Sequence, residues 1–166
     1  VRKKAKEKIG FSNLKFAITG AAPINPEILH LFHALGIPIY EGYGMTETSA
    51  GATLGYSGAN KIGSVGKPLS GTELRIADPD DGGNGEIQFR GRHVMAGYYK
   101  NPEATAETMT EDGWLKSGDL GKIDSDGFVY VTGRLKEIYV SSAGKNIAPL
   151  VIEETMKSIP IVSQCM

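Results

Sequence analysis

The stretch that decides the fold covers residues 14–40 and reads LKFAITGAAPINPEILHLFHALGIPIY. Its first six residues form a mostly apolar run typical of a short strand, and its last four, IPIY, predict another strand. Apolar residues at helical spacing lie between them. A strand, a helix and a strand joined by such short turns predict a βαβ unit, which favours a parallel sheet with a right-handed crossover.

The helix between these strands is marked at both ends. Asn25 is a good N-cap residue, Pro26 suits the first helical position, and Glu27 complements the helix dipole. Gly36 is the residue type at which helices stop. Apolar residues at helical spacing are expected to form the buried face: Ile28, Leu29, Leu31, Phe32 and Leu35.

The second part of the chain predicts short strands and tight turns. Strands are expected at 73–77 and 86–90, around the Asp- and Gly-rich turn DPDDGGNG, and again at 128–132 and 137–140. Since short strands and tight turns suit a small distorted barrel, the fold class predicted is mixed α/β and β-rich.

Two more helices and a domain boundary complete the prediction. Asn101 caps a short helix through Met109, and a last helix covers 149–159. The residues of that last helix expected to face inward are Val151, Ile152, Thr155, Met156 and Ile159. A boundary is placed at 133–136, where the β-rich region gives way to a new α+β segment.

Composition excludes several functions. With 18 Lys+Arg against 19 Asp+Glu, the formal charge is −1, so there is no overall positive field to bind nucleic acid. The basic run 1–8 is interpreted as a solvated helix face. One cysteine, Cys165, excludes a disulfide framework, and three scattered histidines make a poor metal cluster. No apolar run approaches the roughly 18–20 residues of a membrane span.

Residues 40–48, YEGYGMTET, suit a nucleotide phosphate. Glycines leave backbone N–H groups accessible, and these groups together with hydroxyls bind phosphate oxygens. The adjacent Glu47 carries a carboxylate, the kind of oxygen ligand that magnesium prefers. Tyr43 offers a flat face to a base. The alternative is a glycine turn whose Thr and Glu only cap a helix.

Two later motifs allow similar alternatives. In Ser117-Gly118-Asp119, the carboxylate of Asp119 can accept both hydroxyls of a ribose, or it can be a solvated turn residue. In GRLKE, residues 133–137, Arg134 can donate to ribose or phosphate oxygens, or form a surface ion pair with Glu137. The chain has no GxxxxGK[ST] loop, no GxGxxG motif and no GxSxG elbow.

Together the motifs resemble the ordered core motifs of the adenylate-forming, or AMP-binding, superfamily. They are 20–23 (GAAP), 40–48, 85–91 (GEIQFRG), 113–119 (GWLKSGD), 133–137 (GRLKE) and 146–149 (NIAP) with Glu153. The stretch TGRLKEIYVSSAGKNIAP is most similar to long-chain and bubblegum-type fatty acyl-CoA synthetases. The resemblance implies three parts: 1–60, the end of an α/β nucleotide-binding subdomain; 61–133, a barrel-like subdomain; and 134–166, a hinge with the truncated start of an α+β C-terminal domain.

The resemblance also implies roles for individual residues. The nucleotide would lie along these residues: Gly20, Ala21, Ala22, Glu41, Gly42, Tyr43 and Gly44. Tyr43 would stack on adenine, while Asp119 would take the ribose hydroxyls with help from Arg134. Thr46 would hold the α-phosphate and Glu47 would ligate Mg²⁺. Lys136 would be the hinge between domains, and Gly144 would line the pantetheine tunnel for coenzyme A.

The reaction implied is ATP-dependent ligation of a long-chain fatty acid to CoA, through an acyl-adenylate. The family's pyrophosphate loop lies upstream of these motifs and its adenylation lysine downstream, so the chain is expected to be a fragment that is inactive alone and exposes apolar surface through which it oligomerises. The expected location is cytoplasmic, with peripheral membrane association left open. The alternatives are a fatty acyl-AMP ligase, a peptide-synthetase adenylation domain, or a non-catalytic adaptor that keeps the scaffold.

Overall fold

A computed structural model describes residues 2–140, 146–147, 149–157, 159 and 161–162. Within these residues the helices are Arg2–Lys8 (α1), Pro26–Ala34 (α2), Pro102–Thr108 (α3) and Pro149–Lys157 (α4). The strands are Ala17–Thr19 (β1), Ile39–Tyr43 (β2), Thr53–Leu54 (β3), Lys67–Pro68 (β4), Glu73–Ala77 (β5), Gly85–Arg90 (β6), Leu115–Ile123 (β7), Val129–Arg134 (β8), Tyr139–Val140 (β9) and Asn146–Ile147 (β10). Single 3₁₀ turns cover Thr46–Thr48 and Leu135–Glu137.

The predicted βαβ unit is confirmed. Strands β1 and β2 pair in parallel, with Ala17 opposite Ile39, and α2 connects them. The Asn25 side chain accepts a hydrogen bond of 2.8 Å from the Glu27 backbone N–H, so it caps the helix as predicted. Gly36 follows the helix with φ of +77°, a conformation that glycine adopts without strain.

The buried face predicted for α2 is only partly correct. Leu29 is buried, but Ile28 and Leu31 are 44% and 59% exposed. Helix α2 packs against β2, and β1 is the edge strand of its sheet. A helical apolar stripe is buried only where another layer lies against it, and in the described part of the chain that layer is narrower than the stripe.

The strands form two four-stranded sheets and a small hairpin. The first sheet has the order β1-β2-β3-β4, and only its β1–β2 pair is parallel. The second, β5-β6-β7-β8, is antiparallel throughout. Strand β5 has the predicted bounds, whereas β7 was not predicted as a strand. Its sequence LKSGDLGKI contains two glycines and lacks apolar alternation, which hides a strand from pattern reading.

The two sheets share hydrogen bonds and one core. The Val65 amide donates to the Val129 carbonyl, and the Val129 amide donates to the Gly66 carbonyl, each over 2.9 Å. Gly66 has φ of +83°, and a Cβ there would overlap the backbone of Leu54. The fully buried residues of this core come from the second sheet and from the residue just before β3: Ile87, Phe89, Leu115, Val129 and Ala52.

The segment after β8 departs from prediction in detail. The strand expected at 137–140 is a 3₁₀ turn at Leu135–Glu137 followed by β9, which pairs antiparallel with β10. Helix α4 ends at Lys157 rather than at 159. The inward face predicted for this helix is wrong for Ile152, which is 51% exposed. It is equally wrong for three further residues that are exposed, Thr155, Met156 and Ile159, while the side chain of Val151 lies outside what is described. Helices in the described ranges are all too short or too polar to cross a membrane.

Candidate functional site

The carboxyl ends of the two parallel strands lie side by side. Thr19, the last residue of β1, pairs with Glu41 of β2. A Cβ on the next residue, Gly20, would lie 3.0 Å from the Gly42 carbonyl oxygen, so the two segments approach closely. Ala21 has φ of +68° and is exposed. Ligands of open α/β sheets bind outside the carboxyl ends of the strands, which is where the predicted residues 20–22 lie.

The glycines after Glu41 are explained by packing. A Cβ on Gly42 would lie 3.1 Å from Leu54 Cδ1, and a Cβ on Gly44 would lie 2.5 Å from the Ala50 carbonyl oxygen. Gly44 therefore needs to be glycine in order to fit the Ala50 backbone, whereas a Cβ on Gly42 would only crowd Leu54 and Thr53. The interpretation that these glycines free backbone for phosphate is not required by the geometry.

A tyrosine, a carboxylate and a guanidinium from three strands meet at one place. The Tyr43 hydroxyl donates to Asp119 Oδ2 over 2.6 Å, and Arg134 Nε lies 3.2 Å from Asp119 Oδ1. Asp119 stands directly opposite Arg134 in the β7–β8 register. The Asp119 side chain is 12% exposed and that of Arg134 is 67% exposed. The guanidinium therefore lies at the solvent edge of a mostly buried carboxylate.

The surroundings of Tyr43 keep its phenol protonated. Burial raises the pKa of Tyr43 above its ordinary value, and the hydrogen bond to Asp119 raises this pKa further. The ring packs at a tilt against Phe89, with 5.8 Å between centroids. Tyr43 is thus fixed by the core on one side and by a carboxylate on the other, and it acts as a donor.

Two of the alternative interpretations are wrong. Asp119 is not a solvated turn residue, because it lies inside β7 and is 8% exposed. The segment 117–119 is a bulge within β7 and not a turn at a strand end. Arg134 pairs with Asp119, and not with Glu137 as the surface ion-pair interpretation required.

Thr46 and Glu47 lie in the 3₁₀ turn that follows β2. Thr48 caps this turn, since its Oγ1 accepts from the Met45 amide over 3.0 Å. The capping alternative is therefore correct for Thr48, and within the described part of the chain no capping bond is made by the side chain of Glu47. Glu47 Oε1 instead accepts a hydrogen bond of 2.7 Å from the Tyr98 hydroxyl, and Thr46 is exposed.

The other predicted site residues are more scattered. Glu41 is half-buried, and its Oε2 accepts from the Gly63 amide over 3.0 Å. Burial raises the pKa of Glu41, and the bond from Gly63 opposes that rise. Lys136 is exposed in the 3₁₀ turn after β8. Gly144 lies outside the described residues.

Two residues that were not predicted make hydrogen bonds to predicted site residues or to the backbone beside them. Tyr98 binds Glu47, and Glu86 Oε1 accepts from the Gly118 amide over 3.1 Å. Glu86 belongs to the motif GEIQFRG, so its position in an ordered motif was a usable signal. Tyr98 is 51 residues from Glu47 in sequence, and nothing local indicates this contact.

The carboxylate of Glu47 has the chemistry of the predicted magnesium ligand, since Mg²⁺ prefers oxygen donors. Across the described ranges no group of three or more His, Cys, Asp or Glu side chains forms a metal cage. Magnesium in phosphate-transfer sites uses one or two carboxylates together with substrate phosphates, so a single carboxylate suffices.

The fold and the ordered motifs of this chain are those of the class of adenylate-forming proteins. A family profile described as AMP-binding enzyme matches residues 1–99, and the chain belongs to that family.

Individual relatives point in the same direction. The chain is 45% identical over 166 residues to the long-chain-fatty-acid–CoA ligase FadD15 of Mycobacterium bovis, covering 26% of that protein. It is 44% identical over 167 residues to the long-chain-fatty-acid–CoA ligase ACSBG2 of Xenopus laevis, covering 23%. The whole chain is aligned in both cases, and it spans about a quarter of the length of these curated relatives.

Solved structures match over most of the chain. The ATP-bound chimera RpMatB-BxBclM B3 matches 95% of the chain with a TM-score of 0.85 and 34% identity, over 32% of its own length. The o-succinylbenzoate coenzyme A synthetase of Bacillus subtilis, in complex with ATP and magnesium ion, matches 90% with a TM-score of 0.79 and 32% identity, also over 32% of its length. The chain is thus a mixed α/β fragment with the fold of part of an acyl-CoA synthetase.

Proposed function

We propose that the chain forms the adenosine-phosphate platform and the hinge of an ATP-dependent long-chain fatty acid–CoA ligase. The observation that carries this proposal is the convergence of Tyr43, Asp119 and Arg134 beside the ends of the parallel strands. The fatty-acid substrate is proposed from the relatives, which are named long-chain-fatty-acid–CoA ligases.

Each group of the platform has a proposed role that suits its surroundings. Asp119 accepts hydrogen bonds from the ribose hydroxyls, and Arg134 adds a charge-assisted donor at the exposed side. Tyr43 presents a ring whose hydroxyl is tied to Asp119, so adenine stacks on a fixed face. Thr46 binds the α-phosphate and Glu47 supplies the magnesium carboxylate. Residues 20–22, with Glu41, Gly42 and Gly44, line the nucleotide.

The proposed reaction has two halves. A fatty-acid carboxylate oxygen attacks the α-phosphorus of ATP. The bond between the α-phosphorus and the oxygen that bridges it to the β-phosphate breaks, and pyrophosphate leaves with the electron pair of that bond. The thiolate of CoA then attacks the acyl carbonyl carbon and displaces AMP. Neutralising and aligning the phosphates lowers the first barrier, and this is where Thr46, Glu47 and Arg134 would act. Such a ligase would use cytoplasmic ATP and CoA, with its lipid substrate delivered at an internal membrane surface.

The three-part division is also proposed for the whole ligase. Residues 1–60 would close the nucleotide-binding subdomain, 61–133 would belong to a small distorted barrel, and 134–166 would begin the C-terminal domain. Lys136, in the exposed 3₁₀ turn after β8, would be the hinge about which that domain turns between the two halves. Gly144 would line the path of CoA. Because the 166-residue chain spans about a quarter of the length of its curated relatives, it is expected by itself to bind nucleotide weakly and to catalyse no turnover.

The decisive experiment measures AMP binding to the chain by calorimetry or NMR titration. Asp119→Ala is expected to weaken binding about tenfold or more, because it removes a charged acceptor from the ribose. Asp126→Ala is the matched control, since Asp126 pairs with Lys61 in an exposed position in the β7–β8 turn, away from Asp119. Equal affinities of the two variants would contradict the proposal.

A further inference from the structure

We infer that Glu86 is a positioning residue, whose carboxylate fixes the backbone bulge that aims Asp119 at Tyr43 and Arg134. This inference rests on the proposed role of Asp119 in nucleotide binding. Glu86 is half-buried on β6, in the strand next to the one that carries Asp119, and none of the roles above uses it.

The pairing of β6 with β7 is interrupted where Asp119 is found. Glu86 stands opposite Leu120 and Gln88 stands opposite Lys116, so Ile87 alone faces the three residues 117–119. Such a bulge takes amide groups out of the regular ladder, and each buried amide then needs another acceptor. Gly118, in the middle, has φ of +72°, which favours glycine.

Side chains replace the missing ladder bonds. Glu86 Oε1 accepts from the Gly118 amide over 3.1 Å, and Ser117 Oγ accepts from the Asp119 amide over 3.0 Å. A carboxylate is a stronger acceptor than a neutral oxygen, so Glu86 makes the more strongly stabilising of the two contacts. The conformation of the bulge therefore depends on a residue 32 positions away in sequence.

Glu86 is itself held by a chain of hydrogen bonds across the sheet. Its Oε2 accepts from Gln88 Nε2 over 2.9 Å, and Gln88 Oε1 accepts from Arg75 Nε over 2.8 Å. Arg75 Nη1 in turn lies 2.9 Å from Asp112 Oδ2. Gln88 is only 4% exposed, so the middle of this chain is shielded from water. Both oxygens of Glu86 thus have defined donors, and its carboxylate has one orientation.

The bulge decides which way Asp119 faces. In a strand, a shift of one residue moves a side chain to the opposite face of the sheet. The number of residues in the bulge therefore sets whether Asp119 reaches Tyr43 Oη, which it does over 2.6 Å. Loss of the Glu86 contact frees the bulge to relax and moves the carboxylate away from its two partners.

The test uses the 166-residue chain and measures amide hydrogen exchange at Gly118 by NMR. Glu86→Leu removes the acceptor with similar side-chain volume, and exchange at Gly118 is expected to accelerate about tenfold or more. Glu86→Gln keeps an oxygen acceptor and is expected to restore most of the protection. Glu73→Leu is the matched control, because Glu73 pairs with Arg90 on the same sheet and does not reach the bulge. Unchanged exchange in Glu86→Leu would overturn the inference.

A second variant guards against misfolding. Gln88→Met leaves Glu86 in place but removes the donor that orients it, and Gly118 exchange is expected to accelerate by a smaller factor than in Glu86→Leu. If Glu86→Leu does not fold, Gln88→Met decides the matter alone, and unchanged exchange in that variant refutes the role.

Nucleotide selectivity separates this inference from the proposed function. The chain's affinity for AMP is compared with that for 2′,3′-dideoxy-AMP, which lacks the ribose hydroxyls. The unmodified chain is expected to prefer AMP, and Glu86→Leu is expected to lose about tenfold of that preference while Glu86→Gln keeps it. No preference in the unmodified chain would contradict the role of Asp119, and Gly118 exchange would still decide the role of Glu86. If Glu86→Leu preferred AMP over 2′,3′-dideoxy-AMP as strongly as the unmodified chain, the positioning role of Glu86 would be contradicted, and the role of Asp119 would not.

Discussion

The parallel βαβ region and the antiparallel β5–β8 sheet differ sharply in how they are buried. In the antiparallel sheet, Ile87, Phe89 and Leu115 have no exposed surface. In the βαβ region, Ile18 and Leu31 are 57% and 59% exposed, although their sequence patterns are just as apolar. The difference lies in what covers each surface. A parallel strand needs layers on both faces, whereas an antiparallel sheet is stable with one face covered.

The largest effect that this comparison predicts is on stability. Phe89→Ala should lower the free energy of unfolding by about 3–5 kcal/mol, because it leaves a cavity in the shared core. Leu31→Ala, on the exposed side of α2, should change it by no more than about 0.5 kcal/mol. Urea unfolding followed by circular dichroism measures both. Comparable losses would show that the two regions are buried alike in solution.

A smaller effect is expected where the two regions meet. Tyr43→Phe removes the hydrogen bond from β2 to Asp119 of β7 and should cost about 1.5–3 kcal/mol, the range for bonds to charged groups. Tyr99→Phe is the control, since Tyr99 is 88% exposed. The same unfolding assay applies, and a loss as small as that of the control would mean that the contact does not join the regions.

The same tyrosine predicts a pH dependence. Its pKa is raised in the folded chain, mainly by burial, so above pH of about 10 the unfolded phenol ionises while the folded one stays neutral. The contribution of Tyr43 to stability is present below that pH and is lost as the pH rises beyond it. Thermal unfolding between about pH 9 and 11 should therefore show a steeper decline in the unmodified chain than in Tyr43→Phe.

The N-caps of α2 and α3 allow local stability to be compared between the βαβ region and the region of the antiparallel sheet. Asn25 caps α2 and Asn101 caps α3, whose Ala104 amide donates to Asn101 Oδ1 over 3.1 Å. Each Asn→Ala change should cost about 1 kcal/mol of local helix stability. Amide exchange measures this for each helix separately. Loss of protection that spread from α2 into β7 would show that the poorly covered region is coupled tightly to the core.

The smallest effect concerns a cluster that bridges the first sheet and the β7–β8 turn. Lys61, between β3 and β4, lies 2.6 Å from Asp124 and lowers the pKa of that carboxyl to about 2, with help from the Phe128 amide. The contribution of Asp124 to stability is thus present above pH of about 4 and is lost as the pH falls towards 2. Acid unfolding of Asp124→Asn should show a flatter dependence in that interval; an identical curve would argue against the bridge.

Local chemistry predicted part of the fold well. The Asn25 cap, the stop at Gly36 and the parallel pairing follow from residues close in sequence, and β5 has the predicted bounds. Strand β7 was not predicted because Gly118 lies in a bulge beside β6, and Gly121 packs closely against Tyr130 and Ile87 on the neighbouring strands.

The sequence predicted which residues belong to the candidate site, but it did not predict which of them contact each other. Tyr43 and Asp119 are 76 residues apart, and their motifs indicate a shared ligand without indicating that they bind each other. The bonds from Tyr98 to Glu47 and from Gly118 to Glu86 depend on tertiary placement, so no local pattern could reveal them. Whether an apolar stripe is buried depends in the same way on distant layers.

The hydrogen bonds between Val129 and the segment at Val65 and Gly66 have a practical consequence for dissecting the molecule. A truncation that begins after Gly66 would strip the edge of β8 of its partners and leave it free to recruit another chain. A soluble minimal version for crystallography or grafting should therefore start no later than β3 and continue through β8. Its ends would then be chosen by which strands hydrogen-bond to each other, and not by where the sequence motifs begin and end.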